Sequence, residues 1–402
     1  MDFEFRLPKH FFPKIVLFFI TMSNPLPRRS FLDRLLLSAS SLFALPVLGS
    51  ALTKENPKSN LMPETKSPIL KIKPMGFVWE TADPFLFCVH HEDKFPKGNE
   101  EMGPATSLEG RHIGDDFIIK DGWRMYHGKT IPGFPGHPHR GFETITVVRE
   151  GVVDHADSMG ASGRYGDGDV QWMTAGKGVQ HSEMFPLRHQ DKENPMELFQ
   201  IWLNLPKRNK MAEPHFKMLW AENIPKVNHK DSKGKKTEIE VIAGTLEKHQ
   251  APSPPPDSWA SDSKNEVSIW NLKLEAGATY TLPKASSGVN RTLYFYEGDD
   301  ILIADTSIEK YHALEVNPES ELQIQNGKSQ AKILVLQGRP IGEHVIQYGP
   351  FVMNTKEEIN QAFEDYHKTA FGGWPWPRTA QVHPRNEGRF AHYANGTKEV
   401  KS

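Results

Sequence analysis

Cysteine is nearly absent from this chain. Cys88 is the only one in 402 residues, so no intrachain disulfide can staple the fold. A chain of that kind tolerates a reducing or an oxidising compartment. Cys88 lies in the apolar run Phe85 to Val89 and reads as a buried strand residue. An excess of one charge is also lacking: 48 basic against 50 acidic residues give a net charge of −2. No large field is left to draw in nucleic acid directly, and the basic run Lys230 to Lys236 reads as a solvated loop. The apolar stretch Phe11 to Ile20 is too short to span a bilayer. Glycine and proline, at 31 each, are plentiful, which suits many short strands joined by turns. The length is enough for two domains, each with its own core.

Two short stretches carry the chemistry. The first is Gly136-His137-Pro138-His139-Arg140-Gly141-Phe142-Glu143, and the second runs from Gly168 through Gly176-Lys177-Gly178 to His181-Ser182-Glu183. Each holds two metal-competent side chains at i, i+2. On a strand that spacing puts both on one face. His137 and His139 can therefore aim at one point, and His181 and Glu183 can aim back at it. Three imidazoles and a carboxylate suit a divalent ion such as Fe, Ni, Co, Mn or Zn. An octahedral ion would keep two positions open, the arrangement of a catalytic site. Eighteen histidines make one such pair unremarkable on a surface strand; two pairs in Gly-rich strand-and-turn settings favour metal. Glu143 shares strand parity with His139, so parity alone leaves it open as a ligand.

The run HPHRGFETITVVREG at 137–151 and the run GDVQWMTAGKGVQHSEMFP at 168–186 resemble the first domain of pirins, members of the cupin superfamily. VIQYGPFVMNTKEEINQAF at 345–363 is similar to the pirin C-terminal region, and the resemblance spans roughly 68–380. It implies His137, His139, His181 and Glu183 as metal ligands, with Glu143 in a supporting role. Fe(II) is the first expectation for the metal, with Ni, Mn, Co, Cu and Zn as alternatives. It also implies flavonol (quercetin) 2,3-dioxygenase activity. Glu183 would be the general base toward a small aromatic, flavonol-like substrate, and O2 the co-substrate. The ring would open with release of carbon monoxide, leaving a depside. Pirins equally resemble regulatory proteins, in which the metal is a structural or redox-sensing element of a surface that binds a protein partner. A cupin enzyme acting on a sugar or keto acid is the third reading.

The N-terminus reads as a leader. Pro27-Arg28-Arg29-Ser30-Phe31-Leu32 is a twin-arginine pattern, followed by apolar Leu35 to Leu48 and small Gly49-Ser50-Ala51. Residues 1–51 are thus expected to be a Tat-like signal peptide that sends the protein to the periplasm, with no stable membrane insertion after cleavage. Cytoplasmic residence is the alternative, and Met22 is an alternative start. Residues 52–67 are a Lys/Pro/Ser/Asn linker.

The fold class expected for the rest is all-β: a bicupin of two β-sandwich or barrel domains in tandem with a short C-terminal helix. Residues 68–205 form the N-terminal cupin domain with the metal site. Leu70 to Trp79 opens it, a polar loop runs from Glu92 to Gly103, and Phe117 to Ile119 is a strand. Residues 206–350 form the C-terminal cupin domain, without His-x-His or His-x-Glu and so without metal ligands. Residues 351–402 hold the helix and a polar, loosely ordered tail. The helix begins after Asn354-Thr355 and packs Ile359, Ala362, Phe363 and Tyr366 on one face. Core is the favoured fate for Phe142, Trp172 and Met173, a surface ion pair for Arg140, and an outward face for Gln180.

Overall fold

The computed structural model describes residues 67–401, so the expected leader and nearly all of the expected linker lie outside the described residues. First in the chain come β1 (Ile69–Pro74), β2 (Val78–Glu80), β3 (Phe85–Phe95), β4 (Gly133–His139), β5 (Phe142–Glu150) and β6 (Val152–Asp157). β7 (Ser162–Gly166), β8 (Val170–Thr174), β9 (Val179–Met184), β10 (Asn194–Asn204) and β11 (His215–Leu219) follow. The second unit begins with β12 (Lys226–Lys230), β13 (Lys236–Ala243), β14 (Thr245–Leu246), β15 (His249–Gln250), β16 (Ser268–Leu274) and β17 (Thr279–Leu282). It continues with β18 (Asn290–Glu297), β19 (Asp300–Ile303), β20 (Thr306–Glu309), β21 (His312–Val316), β22 (Leu322–Asn326) and β23 (Ala331–Gly338). The chain closes with β24 (Ile346–Tyr348), β25 (Phe351–Met353), helix α1 (Lys356–Thr369), β26 (Arg389–His392) and β27 (Lys398–Lys401).

Among the described residues the fold is all-β apart from α1 and a few short 3-10 turns, with two cupin units in tandem. The first unit faces a six-stranded sheet, β11-β8-β5-β10-β3-β2, with another, β27-β26-β7-β6-β9-β4. The second pairs a seven-stranded sheet, β1-β21-β18-β23-β16-β13-β12, with a four-stranded one, β17-β22-β19-β20. Its interior is filled by apolar side chains such as Ile239, Trp270, Leu293, Ile324 and Ile333.

β5 shows why the first site is held stiffly. Its run Phe142–Val148 is buried throughout because both faces are covered. Ile145 and Val147 point outward and join Trp172 of β8, Ile201 of β10 and Tyr294, Tyr296 and Leu334 of the second unit in one interdomain core. Thr146 points the other way, into the first barrel, where it meets Glu183. A strand buried on both faces reads as a nearly continuous β-branched run, and Thr144-Ile145-Thr146-Val147-Val148 is such a run.

Both ends of the described segment depart from the expected plan. Strand β1, expected to open the first domain, pairs with β21 of the second unit, Ile69 opposite Val316 and Pro74 opposite His312. The tail, expected to be loose, forms β26 and β27, and β26 pairs with β7 of the first unit through Phe390 opposite Arg164. Each end thereby covers an edge strand whose unpaired N–H and C=O groups would otherwise face solvent. β11 lies beyond residue 205, the expected end of the first domain, yet it pairs with β8 of the first sheet. The expected polar loop at Glu92 is instead the end of β3, which runs to Phe95 and buries Asp93. Phe117 to Ile119 is not a strand; only isolated bridges flank it at Asp116 and Lys120, and Ile118 and Ile119 are exposed.

Helix α1 starts as its sequence suggests. Thr355 accepts from the Glu358 N–H while Glu358 reaches back to the Thr355 backbone, a reciprocal capping box. Ile359, Ala362, Phe363 and Tyr366 pack together with Phe351 and Phe371. The helix end is brought hard against the first unit. Gly178 has φ +134, and a Cβ there would lie 2.7 Å from the Phe371 ring. Only glycine allows both the backbone angle and that approach.

Candidate metal centre

Strands β4 and β9 are antiparallel neighbours, and His137 stands directly opposite His181. Cross-strand partners share a face, so His181 turns toward the same point as His137 and His139. Ring nitrogens of His137, His139 and His181 all lie within 4.8 Å of one another. The three rings pack edge to face or tilted, with centroids 4.5 to 4.9 Å apart. His139 and His181 are buried, while His137 keeps some solvent contact and marks the open side.

Backbone carbonyls fix the tautomers. His137 Nδ1 lies 2.9 Å from the Pro135 carbonyl, and His139 Nδ1 lies 3.4 Å from that of Pro350. A carbonyl only accepts, so each Nδ1 carries the proton and each Nε2 keeps its lone pair. His139 Nε2 and both nitrogens of His181 are buried without any hydrogen-bond partner. Such orphans are costly in an interior. Burial pushes His137 down to about 4 and holds His139 and His181 well below the usual histidine range. Three converging neutral imidazoles, two of them buried with unsatisfied nitrogens, fit a divalent cation.

Glu183, the fourth expected ligand, lies beside the triad and not in that tight group. Its Oε2 is 3.9 Å from His181 Nε2. Thr146 Oγ1 donates to Oε1 at 2.8 Å and Gln200 Nε2 donates to Oε2 at 2.8 Å. Burial raises its proton affinity, and the Gln200 and Thr146 bonds oppose that. Glu143 is fully buried elsewhere, accepting from Thr174 Oγ1 at 2.6 Å and from Ser258 Oγ of the second unit at 2.5 Å. Burial pushes it up to about 7.

Other residues singled out in the sequence serve the frame. Trp172 lies in the interdomain core, and Met173 packs with Ala175 and Val179. Phe142 stacks on Trp202 and backs the His139 ring at 5.0 Å. Arg140 is buried; it donates to the Lys177 carbonyl at 2.6 Å and to Asp365 of α1 at 2.7 Å. Gln180 faces away from the triad, donating to the Ala370 and Gly373 carbonyls and accepting from Tyr366. Residues adjacent in sequence to the ligands thus clamp the C-terminal segment.

One cluster escaped the sequence reading. His91 and Asp93, at i, i+2 on β3, point into the barrel with Arg124 and Tyr126. Arg124 grips Asp93 through Nε at 3.0 Å and Nη2 at 3.1 Å. Tyr126 donates its hydroxyl to Asp93 in a short contact, and His91 Nδ1 lies 2.8 Å from the Tyr126 oxygen. Burial, with Arg124 and His90 adding to it, holds His91 well below its usual range. His91 also lines a narrow crevice shared with Glu183, Thr146 and Gln200 and walled by Phe134, Phe185 and Leu198. Two polar residues of like parity on a buried strand were the available signal.

The Pirin family profile matches residues 98–203, and the Pirin C-terminal cupin domain profile matches residues 269–372. A Pseudomonas aeruginosa protein provisionally named quercetin 2,3-dioxygenase is 37% identical over 244 residues, covering 60% of this chain and 79% of that protein. A pirin-like protein of Caulobacter vibrioides is 36% identical, covering 60% and 81%. Among solved structures, quercetin 2,3-dioxygenase from Acinetobacter baumannii superposes with a TM-score of 0.59 at 27% identity, covering 76% of this chain and 98% of that one.

Proposed function

This chain belongs to the pirin family of cupins, and we propose that it is a metal-dependent dioxygenase of the flavonol (quercetin) 2,3-dioxygenase type. The observation that carries the proposal is the convergent triad of neutral imidazoles, two of them buried with orphaned nitrogens. His137, His139 and His181 would hold the metal, with Glu183 as fourth ligand or as the base beside it. Bound there, a divalent ion, Fe(II) before Ni, Mn, Co, Cu or Zn, supplies Lewis acidity and a template for substrate and O2.

The chain's own groups do the rest. The Pro135 and Pro350 carbonyls orient two of the rings. Phe142 and Trp202 exclude water behind His139. Glu183 Oε2 takes the proton of a substrate hydroxyl, its affinity for protons raised by burial. Thr146 and Gln200 hold that carboxylate in place before and after the transfer. One O2 is taken up, one ring carbon leaves as carbon monoxide, and the depside remains.

O2 uptake by Fe(II)-loaded protein given quercetin tests this, with His137→Ala as the control for oxidation by free metal. Uptake that depends on His137 supports the reading. No uptake by protein shown to hold its metal overturns it in favour of a metal that shapes a partner-binding surface. The twin-arginine pattern at Arg28 and Arg29 supports placing the activity in the periplasm. Cell fractionation, with N-terminal sequencing of the mature protein, checks that placement.

A further inference from the structure

We propose that His155 and Asp157 are positioning residues for the metal centre. Asp157 fixes the tautomer of His155, and His155 Nδ1 accepts the Nδ1 proton of His181 once His181 Nε2 holds the metal. The inference goes beyond the dioxygenase reading and rests only on the metal reading of the triad. Its basis is a mismatch among the three imidazoles.

His137 and His139 each rest Nδ1 on a backbone carbonyl, that of Pro135 and that of Pro350. His181 has no such support; both of its ring nitrogens are buried without a partner. A ligand that gives Nε2 to a metal keeps its proton on Nδ1, and that N–H needs an acceptor. The strand register supplies neighbours. On β6, His155 stands opposite Glu183 and Asp157 opposite His181, so all four side chains share one face of the sheet. His155 and Asp157 are completely buried. The His155 and His181 rings are adjacent, with centroids 5.6 Å apart.

The direction of the bonds follows from Asp157. Its Oδ1 accepts from the Met159 and Ala161 N–H groups, at 2.9 Å each, which anchors the carboxylate in a turn. Its Oδ2 lies 3.2 Å from His155 Nε2. A carboxylate accepts, so Nε2 carries the proton and the neutral ring keeps a lone pair on Nδ1. That His155 Nδ1 is buried and has no partner. Phe216 stacks on the ring at 4.8 Å and fixes its plane. Two adjacent rings thus hold one unmet donor and one unmet acceptor. An N–H···N bond of about 3 Å between two imidazole edges places their centroids about 5 Å apart. From 5.6 Å, a small turn of the His181 ring about its Cβ–Cγ bond closes the gap. Leaving both atoms unmet in the interior is costly, so the closed pair holds His181 with Nε2 free for the metal.

Zn(II) on the full chain is the probe. Its affinity is measured by chelator competition, and the ring protons by long-range proton–nitrogen NMR of isotope-labelled histidines. In Zn(II)-loaded wild type, His155 should carry its proton on Nε2, and His181 should show a slowly exchanging Nδ1–H. The opposite His155 tautomer would overturn the proposal without any variant having to fold. His155→Phe keeps an aromatic ring against Phe216 and removes the acceptor; it should weaken Zn(II) binding roughly ten- to a hundredfold. It should also speed exchange at His181 alone and leave the His137 and His139 signals in place, whereas a general loosening of the site would move all three. His155→Asn returns a carbonyl oxygen near the Nδ1 position and should recover part of the affinity. Asp157→Asn donates to His155 where the carboxylate accepted. It turns His155 Nδ1 into a second donor and should weaken binding despite its matched shape. Affinity and His181 exchange unchanged in His155→Phe would overturn the proposal and leave the metal reading intact. Wild type that takes up no Zn(II) would sink both. A His155-dependent affinity without O2 uptake by Fe(II)-loaded protein would sink the dioxygenase reading and leave this pair standing.

Discussion

Replacing Glu143 with glutamine should change how stability depends on pH more than it changes the fold. The carboxyl is completely buried, and its two partners, Thr174 and Ser258, are neutral hydroxyls. Burial raises it from an ordinary value of 4.5 to about 7, with the Ser258 and Thr174 hydrogen bonds opposing the rise. Between those two values the folded chain holds a proton at Glu143 that the unfolded chain has released. The unfolded state then binds fewer protons, so stability falls as pH rises through that window and levels off above it. The full effect is about 3 kcal/mol on that linkage. Glu143→Gln keeps the shape and removes the charge. It should therefore change stability least near pH 5 and be stabilising near pH 8, by an amount on the order of 3 kcal/mol. Urea denaturation of both proteins from pH 5 to 8 gives the difference directly, and other titrating groups cancel in it. If the two curves stay parallel across that range, the carboxyl does not enter the fold protonated and the reasoning fails.

Three further outcomes follow from the geometry. Arg164→Ala strips the fully buried Asp154 of its partner and releases the His383, Pro384 and Glu387 carbonyls; it should cost about 3–5 kcal/mol and abolish amide-exchange protection in β26, and unchanged protection there would refute the anchoring role. Adding a divalent metal at a hundred times its dissociation constant should stabilise wild type by about 2.7 kcal/mol, seen as a raised melting temperature. His139→Ala should show no such gain. Gly178→Ala meets both a φ of +134 and the Phe371 ring; it should destabilise by at least about 1 kcal/mol and alter the fluorescence of Trp374, which packs on Gly136 nearby. A melting curve and emission spectrum identical to wild type would refute that close packing.

The sequence by itself determined the repeating, local part of this protein. Period-two alternation places His137 with His139 and His181 with Glu183 on shared faces whatever the rest of the chain does, because a strand alternates its side chains. The Thr355 capping box and the apolar stripe of α1 are likewise complete within a few residues. Long-range pairing was decided only in three dimensions. An edge strand can be satisfied by any segment that reaches it, so nothing local in Ile69–Pro74 says that it will join β21, or in Arg389–His392 that it will join β7. The same holds for charge. Glu92 and Asp93 read as polar loop because burial of a carboxylate is costly, and only the arrival of Arg124 and Tyr126 from some thirty residues away makes the Asp93 site tolerable. Glu143 and Glu183 differ for this reason too. Both are acids of suitable parity, but Thr174 and Ser258 draw one into the frame, while Thr146 and Gln200 hold the other beside the imidazoles.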